Sequence, residues 1–418
     1  MKTKNTAPAR SKLSVLRQLL NLIPPHLVAK LAREHGVDKK ARTFSAWSHV
    51  TSLVYAQMAH SIGLNDVCDS LHLHSGALST IRGATPPCRN TLSHANKHRD
   101  AEMAQKLFWS VLAHLQAIHA PFGGGKRGRG LLRRFKASIH AVDSTTIQLV
   151  ANCMDWAKHR RRKAAAKMHL RLNLQSFLPS YAVVDTAKEN DAKRAREVCA
   201  QLQSGEIVVF DKAYVDFDHL ADLNTRGVFW VTRAKENMCY TVVEERPVPQ
   251  GSKVVRDEII ALEGRPEQPG EFVRRVEAWV EVDGRERLMV FLTNNFQWSA
   301  STVCDVYQAR WDIEVFFKQI KQTLKLADFL GHSANAVRWQ VWMALLTYVL
   351  LRFQGCVGRW SHSFTRLFTL IRASLWSLLD LRALIDHYGT APGHFKLLGA
   401  PQQAWWPELF TPTVGQHA

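Results

Sequence analysis

Three acidic residues stand where their surroundings could put a carboxylate to work. Asp143 interrupts the apolar, β-branched stretch Ser138-Ile-His-Ala-Val-Asp-Ser-Thr-Thr146, a setting in which an ionised carboxylate is costly unless it is paired or bound to a metal. Asp211 follows Ile207-Val-Val-Phe210, at the carboxyl end of a short strand, where ligands bind in open α/β sheets. Glu314 lies on a long helix expected over about residues 300–326. At about 100° per residue, Tyr307, Arg310, Glu314, Lys318, Lys321 and Lys325 fall within about 80° of one another. Ala309, Ile313, Phe316, Ile320 and Leu324 form a separate apolar stripe that faces a core. Each aspartate taken singly is equally well explained as a turn residue or helix N-cap. Glu314 taken singly reads as a solvated residue paired with Lys318. Together, three carboxylates would make a site for a hard divalent cation.

The elements that must position them follow from residue patterning. Residues 1–120 carry apolar positions at three-to-four spacing, among them Phe44, Trp47, Val50, Val54, Met58, Leu64, Val67 and Leu71, the mark of amphipathic helices. Pro121–Gly130, rich in glycine and cations, reads as a linker. Short β-branched runs follow at Ile139–Val150, Leu170–Leu178, Tyr181–Val184, Ile207–Phe210 and Val228–Thr232. Helices are expected at Ala192–Gln203 and Phe217–Thr225, giving a mixed α/β sheet. Residues 234–287, rich in both charge signs, interrupt this order. At their end Ala278–Val282, Asp283-Gly284 and Leu288–Leu292 signal a hairpin. The remainder is helical, and its tryptophans (Trp339, Trp342, Trp360, Trp376, Trp405 and Trp406) read as a helical core or interface.

Charge narrows the partner. The 418 residues hold 55 Lys+Arg against 36 Asp+Glu, a formal net charge of +19, which points to a polyanion. Lys126–Lys136 carries six cations and no acid, and Lys158–Arg171 seven and no acid; both are read as stretches that track a nucleic-acid backbone. Seven scattered cysteines without a CxxC pair argue against a zinc site or disulfide framework and fit a reducing compartment. The longest apolar run, Val341–Leu351, falls short of the roughly 20 residues of a membrane span, so it is read as a buried helix. The expectation is a cytoplasmic, nucleoid-associated protein with no membrane partner. His140 and His169 read as packing residues.

A specific resemblance joins these features. Tyr307-x2-Arg310-x3-Glu314-x6-Lys321 resembles the Y-(2)-R-(3)-E-(6)-K signature of bacterial insertion-sequence DDE transposases of the family-four type. Asp143 in Val-Asp-Ser-Thr-Thr and Asp211 in Phe-Asp-Lys-Ala-Tyr are similar to that family's two catalytic aspartates. Phe229-Trp-Val-Thr-Arg233, Phe291-Leu-Thr-Asn-Asn295, Phe44-Ser-Ala-Trp47 and Arg89–Asn96 resemble further motifs, so the likeness runs from about residue 40 to 350. Some relatives carry a base-stacking tryptophan in the strand before the Leu-Thr motif; here Met289 stands at that place, with Trp279 and Trp298 nearby.

The resemblance implies a ribonuclease-H-like catalytic core with a β-rich insertion at about 234–287, within a catalytic domain at 126–335. A helical DNA-binding domain at 1–125 precedes it and a helical region at 336–418 follows. It implies an enzyme that cleaves and transfers DNA strands with two Mg²⁺ ions, Mn²⁺ being a substitute. Asp143 would bridge the ions, with Asp211 and Glu314 completing either side. Tyr307, Arg310, Lys321, Lys212 and Arg233 are the expected DNA contacts, with Tyr214 a candidate for contact or for structure. Lys318 and Lys325 read as solvated neighbours. The partners implied are terminal inverted repeats and target DNA, engaged by a homodimer. Two other readings keep the fold: a nuclease without strand transfer, and a catalytically inactive DNA-binding descendant.

Overall fold

The computed structural model describes residues 7–39, 42–124, 134–149, 158–160, 163–186, 191–248, 250–262, 272–282, 284–324 and 330–389. Eight helices come first: α1 (Val15–Leu20), α2 (Leu27–Glu34), α3 (Ala46–Ala59), α4 (Leu64–Leu73), α5 (Ser75–Ser79), α6 (Arg89–His98), α7 (Glu102–Ile118) and α8 (Ala120–Gly124). The start of the expected linker is thus helical; residues 125–130, and the basic stretch as far as residue 133, lie outside the described residues. Ten strands form one sheet: β1 (Ile139–Leu149), β2 (Lys158–Arg160), β3 (Lys163–Asn173), β4 (Leu178–Thr186), β5 (Ile207–Phe210), β6 (Phe229–Arg233), β7 (Tyr240–Glu245), β8 (Val254–Leu262), β9 (Val273–Val282) and β10 (Arg285–Thr293). Helices α9 (Asp191–Cys199) and α10 (Phe217–Thr225) alternate with β5 and β6.

The path across the sheet is β2-β3-β1-β5-β6-β10-β9-β8-β7, with β4 also on β3. β1 pairs antiparallel with β3 and parallel with β5, and β5 is parallel to β6. Three antiparallel strands followed by two parallel ones, joined through helices, are the ribonuclease-H-like core. The insertion does not stand apart from it. Phe291–Thr293 of β10 pairs with Val231–Arg233 of β6, so β7–β10 continue the same sheet. The expected hairpin is β9–β10, its two-residue connection containing Gly284 at φ 72°, a conformation glycine adopts without steric cost; Asp283 lies outside the described residues.

One expected strand is misplaced. Residues 170–178 are not continuous: β3 starts at Lys163, ends at Asn173, and turns through 174–177 into β4. The described part of the basic stretch from Lys158 lies in β2 and β3, residues 161–162 being outside the described residues. Its last cation, Arg171, is buried, donating to Ser180 Oγ at 2.9 Å and to the Val198 carbonyl at 2.9 Å, where it serves the fold and not DNA. The charges of the insertion are also used inside it. Arg274 and Asp257 form a buried two-pronged pair at 2.8 and 2.7 Å, and Arg275 reaches Glu258 at 2.8 Å and Glu277 at 3.0 Å.

The sheet alternates faces, as strands must. Val142, Val208, Phe210, Val228, Trp230 and Leu292 pack with α9 and α10. Ile139, Ala141, Ile147, Ile207, Val209, Val231 and Phe291 join the larger core on the other face, which is covered by α11 (Ala300–Gln308) and α12 (Asp312–Lys318).

The chain ends with α13 (Ala334–Val357), α14 (Phe364–Ala373) and α15 (Leu381–Gly389). α13 packs against α1, α3, α6, α7 and α8. By length and hydropathy it could cross a membrane, yet 83% of its apolar window is buried in this protein. Trp339 and Trp342 are in that core, as their clustering suggested; Trp405 and Trp406 lie outside the described residues. Arg10 bridges to Leu379 in strand fashion, and Gln18 Nε2 donates to the Leu379 carbonyl at 2.7 Å.

Candidate active site

Parity and register bring the two aspartates together. Val142 of β1 lies beside Phe210 of β5 in parallel register, so the next residues, Asp143 and Asp211, are neighbours on strands about 4.8 Å apart. Asp143 shares its face with Ile139, Ala141 and Ile147, and Asp211 shares its face with Ile207 and Val209. Both carboxylates therefore emerge on the face covered by α11 and α12.

Those helices belong to one helical segment, 300–323, that is not regular. α11 passes through a 3₁₀ turn at Ala309–Trp311 into α12, and α12 into a π turn at Gln319–Thr323. A 3₁₀ turn advances about 120° per residue against 100° for an α-helix. The three residues of this turn shift everything after it by about 60° relative to a uniform helix. Tyr307 is buried, whereas Glu314 has a side chain 59% exposed, although the two lie within about 40° of each other along the segment. The core stripe holds at Ile313, Phe316, Ile320 and Leu324. The segment is fixed at its start by Ser299, whose hydroxyl caps Thr302. The preceding Leu-Thr-Asn-Asn motif fastens it to the sheet: Thr293 Oγ1 donates to the Trp230 carbonyl at 2.7 Å, and Asn294 Oδ1 accepts from the Trp230 amide at 2.9 Å. Arg274 donates to the Asn295 carbonyl at 3.2 Å.

Arg310 is the hub. Its Nη1 donates to Asp143 Oδ2 at 2.8 Å and its Nη2 to Glu314 Oε1 at 3.1 Å, so one guanidinium joins the strand-borne and helix-borne acids. Tyr307 donates its hydroxyl to Asp211 Oδ1 at 3.4 Å and packs its ring against Phe291. Asp143 Oδ1 accepts from the Ser144 amide at 2.7 Å. The three carboxylates are not drawn into one tight cluster. Among the described residues, the trio of donor atoms within 4.8 Å of one another is His35, Asp100 and Glu102, in the helical body, where Asp100 Oδ1 accepts from the Glu102 amide at the start of α7.

Electrostatics mark the site. Burial pushes Asp143 up to about 6, and Asp211 and Glu314 add to the rise, against the pull of Arg310 and the Ser144 amide. Arg310 is held above the ordinary arginine value: burial opposes its charge, and Tyr307, Asp143, Asp211 and Glu314 outweigh that. Burial, with the charge of Asp211, pushes Tyr307 up to about 12, so it stays a donor. Lys321 is half-buried, lowered by burial, and donates to the Thr146 carbonyl at 2.6 Å. Hard carboxylate oxygens around a partly desolvated anion fit a divalent cation of the magnesium type.

The remaining expected residues make contacts of other kinds. Lys212 pairs with Glu236 at 3.0 Å, and Arg233 ends β6 with a half-buried side chain. Lys318 is exposed; Lys325 lies outside the described residues. His140 Nε2 lies 3.2 Å from Glu206, and His169 Nδ1 3.2 Å from the hydroxyl of buried Tyr214, packing roles as read. Met289 is half-buried, Trp279 is 45% exposed on β9, and Trp298 packs with Phe135 and Phe229. Sequence reading missed the roles of Asp257 and Arg274, whose spacing carries no motif.

Comparison with known proteins agrees with this geometry. Residues 134–350 match the model of the transposase DDE domain, and residues 11–81 match a domain of unknown function, DUF4372. The transposase y4zB of Sinorhizobium fredii is 30% identical over 283 residues, covering 67% of this chain and 78% of that protein. The transposase of insertion sequence element IS5377 of Geobacillus stearothermophilus is 29% identical, covering 60% and 66%. Transposase InsG of insertion sequence element IS4 of Escherichia coli is 24% identical, covering 45% and 43%. A domain match across half of the chain, resting on a sheet that sets two aspartates beside an acid-bearing helix, gives the conclusion: the chain belongs to the DDE transposases of bacterial insertion sequences, enzymes that cleave and rejoin DNA strands with divalent metal.

Proposed function

We propose that Asp143, Asp211 and Glu314 together hold two Mg²⁺ ions, replaceable by Mn²⁺, and that the chain uses them to cut and transfer strands at its element's terminal inverted repeats. The observation that carries this reading is the single guanidinium of Arg310 reaching both Asp143 and Glu314 while Tyr307 of the same segment donates to Asp211. Acids from three distant parts of the chain thereby border one space. When bound, the ions would activate a water, or the DNA's own 3′ hydroxyl, for attack and offset charge on the leaving oxygen.

The protein's own groups position the reactants. Tyr307 orients Asp211, and the Ser144 amide orients Asp143. Arg310, Lys321, Lys212 and Arg233 lie on or beside this face and serve as phosphate contacts, since fixed cations set the register of a DNA backbone without reading sequence. End recognition falls to the helical domain at 1–125 and catalysis to 126–335; of the region 336–418, residues up to 389 complete the helical body, and the rest lie outside the described residues. A homodimer holding two ends, working on cytoplasmic, nucleoid-bound DNA, completes the reading.

The test is cleavage of a supercoiled plasmid carrying the element's ends, with Mg²⁺, by Asp143→Asn, Asp211→Asn and Glu314→Gln. Each is expected to lose strand cleavage while footprinting the ends as the parent does; cleavage retained in any one removes that acid from the site. Joining of cut ends to a second DNA separates a transposase from a nuclease, which would yield cut products alone.

A further inference from the structure

Arg310 occupies its position more completely than a waiting phosphate contact would. Its side chain is only 9% exposed. One arm of the fork is spent on Asp143 Oδ2 and the other on Glu314 Oε1. Asp143 Oδ1 is taken by the Ser144 amide, so both oxygens of the central aspartate are engaged. A dication brought to the same oxygens would meet a fixed positive charge at hydrogen-bond range and be repelled by it. The arrangement also has an exit. Glu314 is 59% exposed, and Arg310 Nε is buried without a hydrogen-bond partner. A planar guanidinium whose Nε–H is unpaired gains by moving to a phosphate, whose oxygens match its fork.

We propose that Arg310 is the resident counter-ion of this site: in the DNA-free protein it neutralises Asp143 and Glu314 and competes with divalent metal for them, and it releases them when a DNA phosphate takes its guanidinium. This rests on the three-acid reading of the site. Metal loading and DNA binding are then coupled, each tightening the other by the same factor, as linkage requires.

The experiment measures Mn²⁺ binding to the full chain by electron paramagnetic resonance, with and without a generic duplex oligonucleotide. Free duplex serves as the blank, and the Asp143→Asn protein with the same duplex as the baseline. DNA-free Arg310→Gln is expected to bind Mn²⁺ about tenfold more tightly than the parent, within the usual span of coupling. The duplex is expected to tighten the parent's Mn²⁺ affinity by a similar factor and to leave that of Arg310→Gln nearly unchanged. Affinity in Arg310→Gln equal to or weaker than the parent's overturns the proposal. So does a parent whose Mn²⁺ affinity ignores the duplex, a measurement needing no variant at residue 310. Mn²⁺ binding by Asp143→Asn equal to the parent's would instead overturn the three-acid reading itself.

Discussion

Between α3, α6 and α13, His49 is fully buried. Its Nε2 lies 2.8 Å from Asn96 Oδ1 and its ring 4.5 Å from that of Trp339, whose indole donates to the Arg99 carbonyl at 2.7 Å. Burial, with Arg99 adding to it, lowers His49 to about 3, so it is neutral and its neighbours are matched to the neutral form. Under the late helical segment Asp143 is also largely buried, yet it is surrounded by two further acids and held by one arginine. The helical body uses buried polar groups to fix a single packing. The acid-bearing face gathers three carboxylates around one guanidinium and one phenol. The first arrangement stabilises the fold; the second costs stability and stores affinity for cations.

Breaking the helical side should give the largest loss. Trp339→Ala is expected to lower stability by about 3–5 kcal/mol, the usual cost of emptying a buried aromatic site, read from denaturation midpoints; a loss under about 1 kcal/mol would show that α13 is not held as described. Asp143→Asn should move stability the other way. Its carboxyl is raised from 3.8 to about 6 in the folded metal-free protein, so ionisation penalises folding. The penalty is absent below about pH 4, grows as pH rises through the two values, and reaches about 3 kcal/mol above pH 6. Melting without metal should show the variant more stable at pH 8 and equal to the parent at pH 4; a less stable variant at pH 8 refutes the contrast. Tyr307→Phe removes one hydrogen bond and should cost about 1 kcal/mol while raising the Mn²⁺ concentration needed for cleavage. An unchanged metal requirement would separate Tyr307 from Asp211. Lys212→Ala, out on the rim, should leave the melting temperature in place and make the dependence of log DNA affinity on log salt shallower by about one. An unaltered slope takes Lys212 off the DNA face.

Much of the acid-bearing face was legible because strand parity is a local property. The alternation around Asp143, and the run ending at Asp211, fix which way each carboxylate points once a sheet exists. The helical segment was legible in its apolar stripe and not in its turn geometry. No residue in 300–326 announces a 3₁₀ turn at Ala309–Trp311 or a π turn at Gln319–Thr323, and a wheel, which shows direction and not depth, could not tell that Tyr307 is buried and Glu314 exposed. The strand β3 was misread because its first residues, Lys163-Ala-Ala-Ala-Lys167, lack β-branched side chains; pairing with β1 along ten positions overrides that propensity. The charged insertion was legible as an insertion only. Pairs such as Asp257 with Arg274 form across strands that sequence separates by a long connection, and a charge-rich stretch looks the same whether its ions face water or one another.

The docking of α13 among α1, α3, α6, α7 and α8 sets an order of events at the ribosome. The first eight helices emerge without the rod that closes their interior, and about two hundred residues, the ten described strands among them, must be synthesised before that rod appears. A translation product halted ahead of Ala334 would present apolar helix faces with nothing to cover them, a substrate for proteases and a seed for aggregation. Completion of the helical body thus waits on completion of the sheet, and the two are finished together when α13 docks.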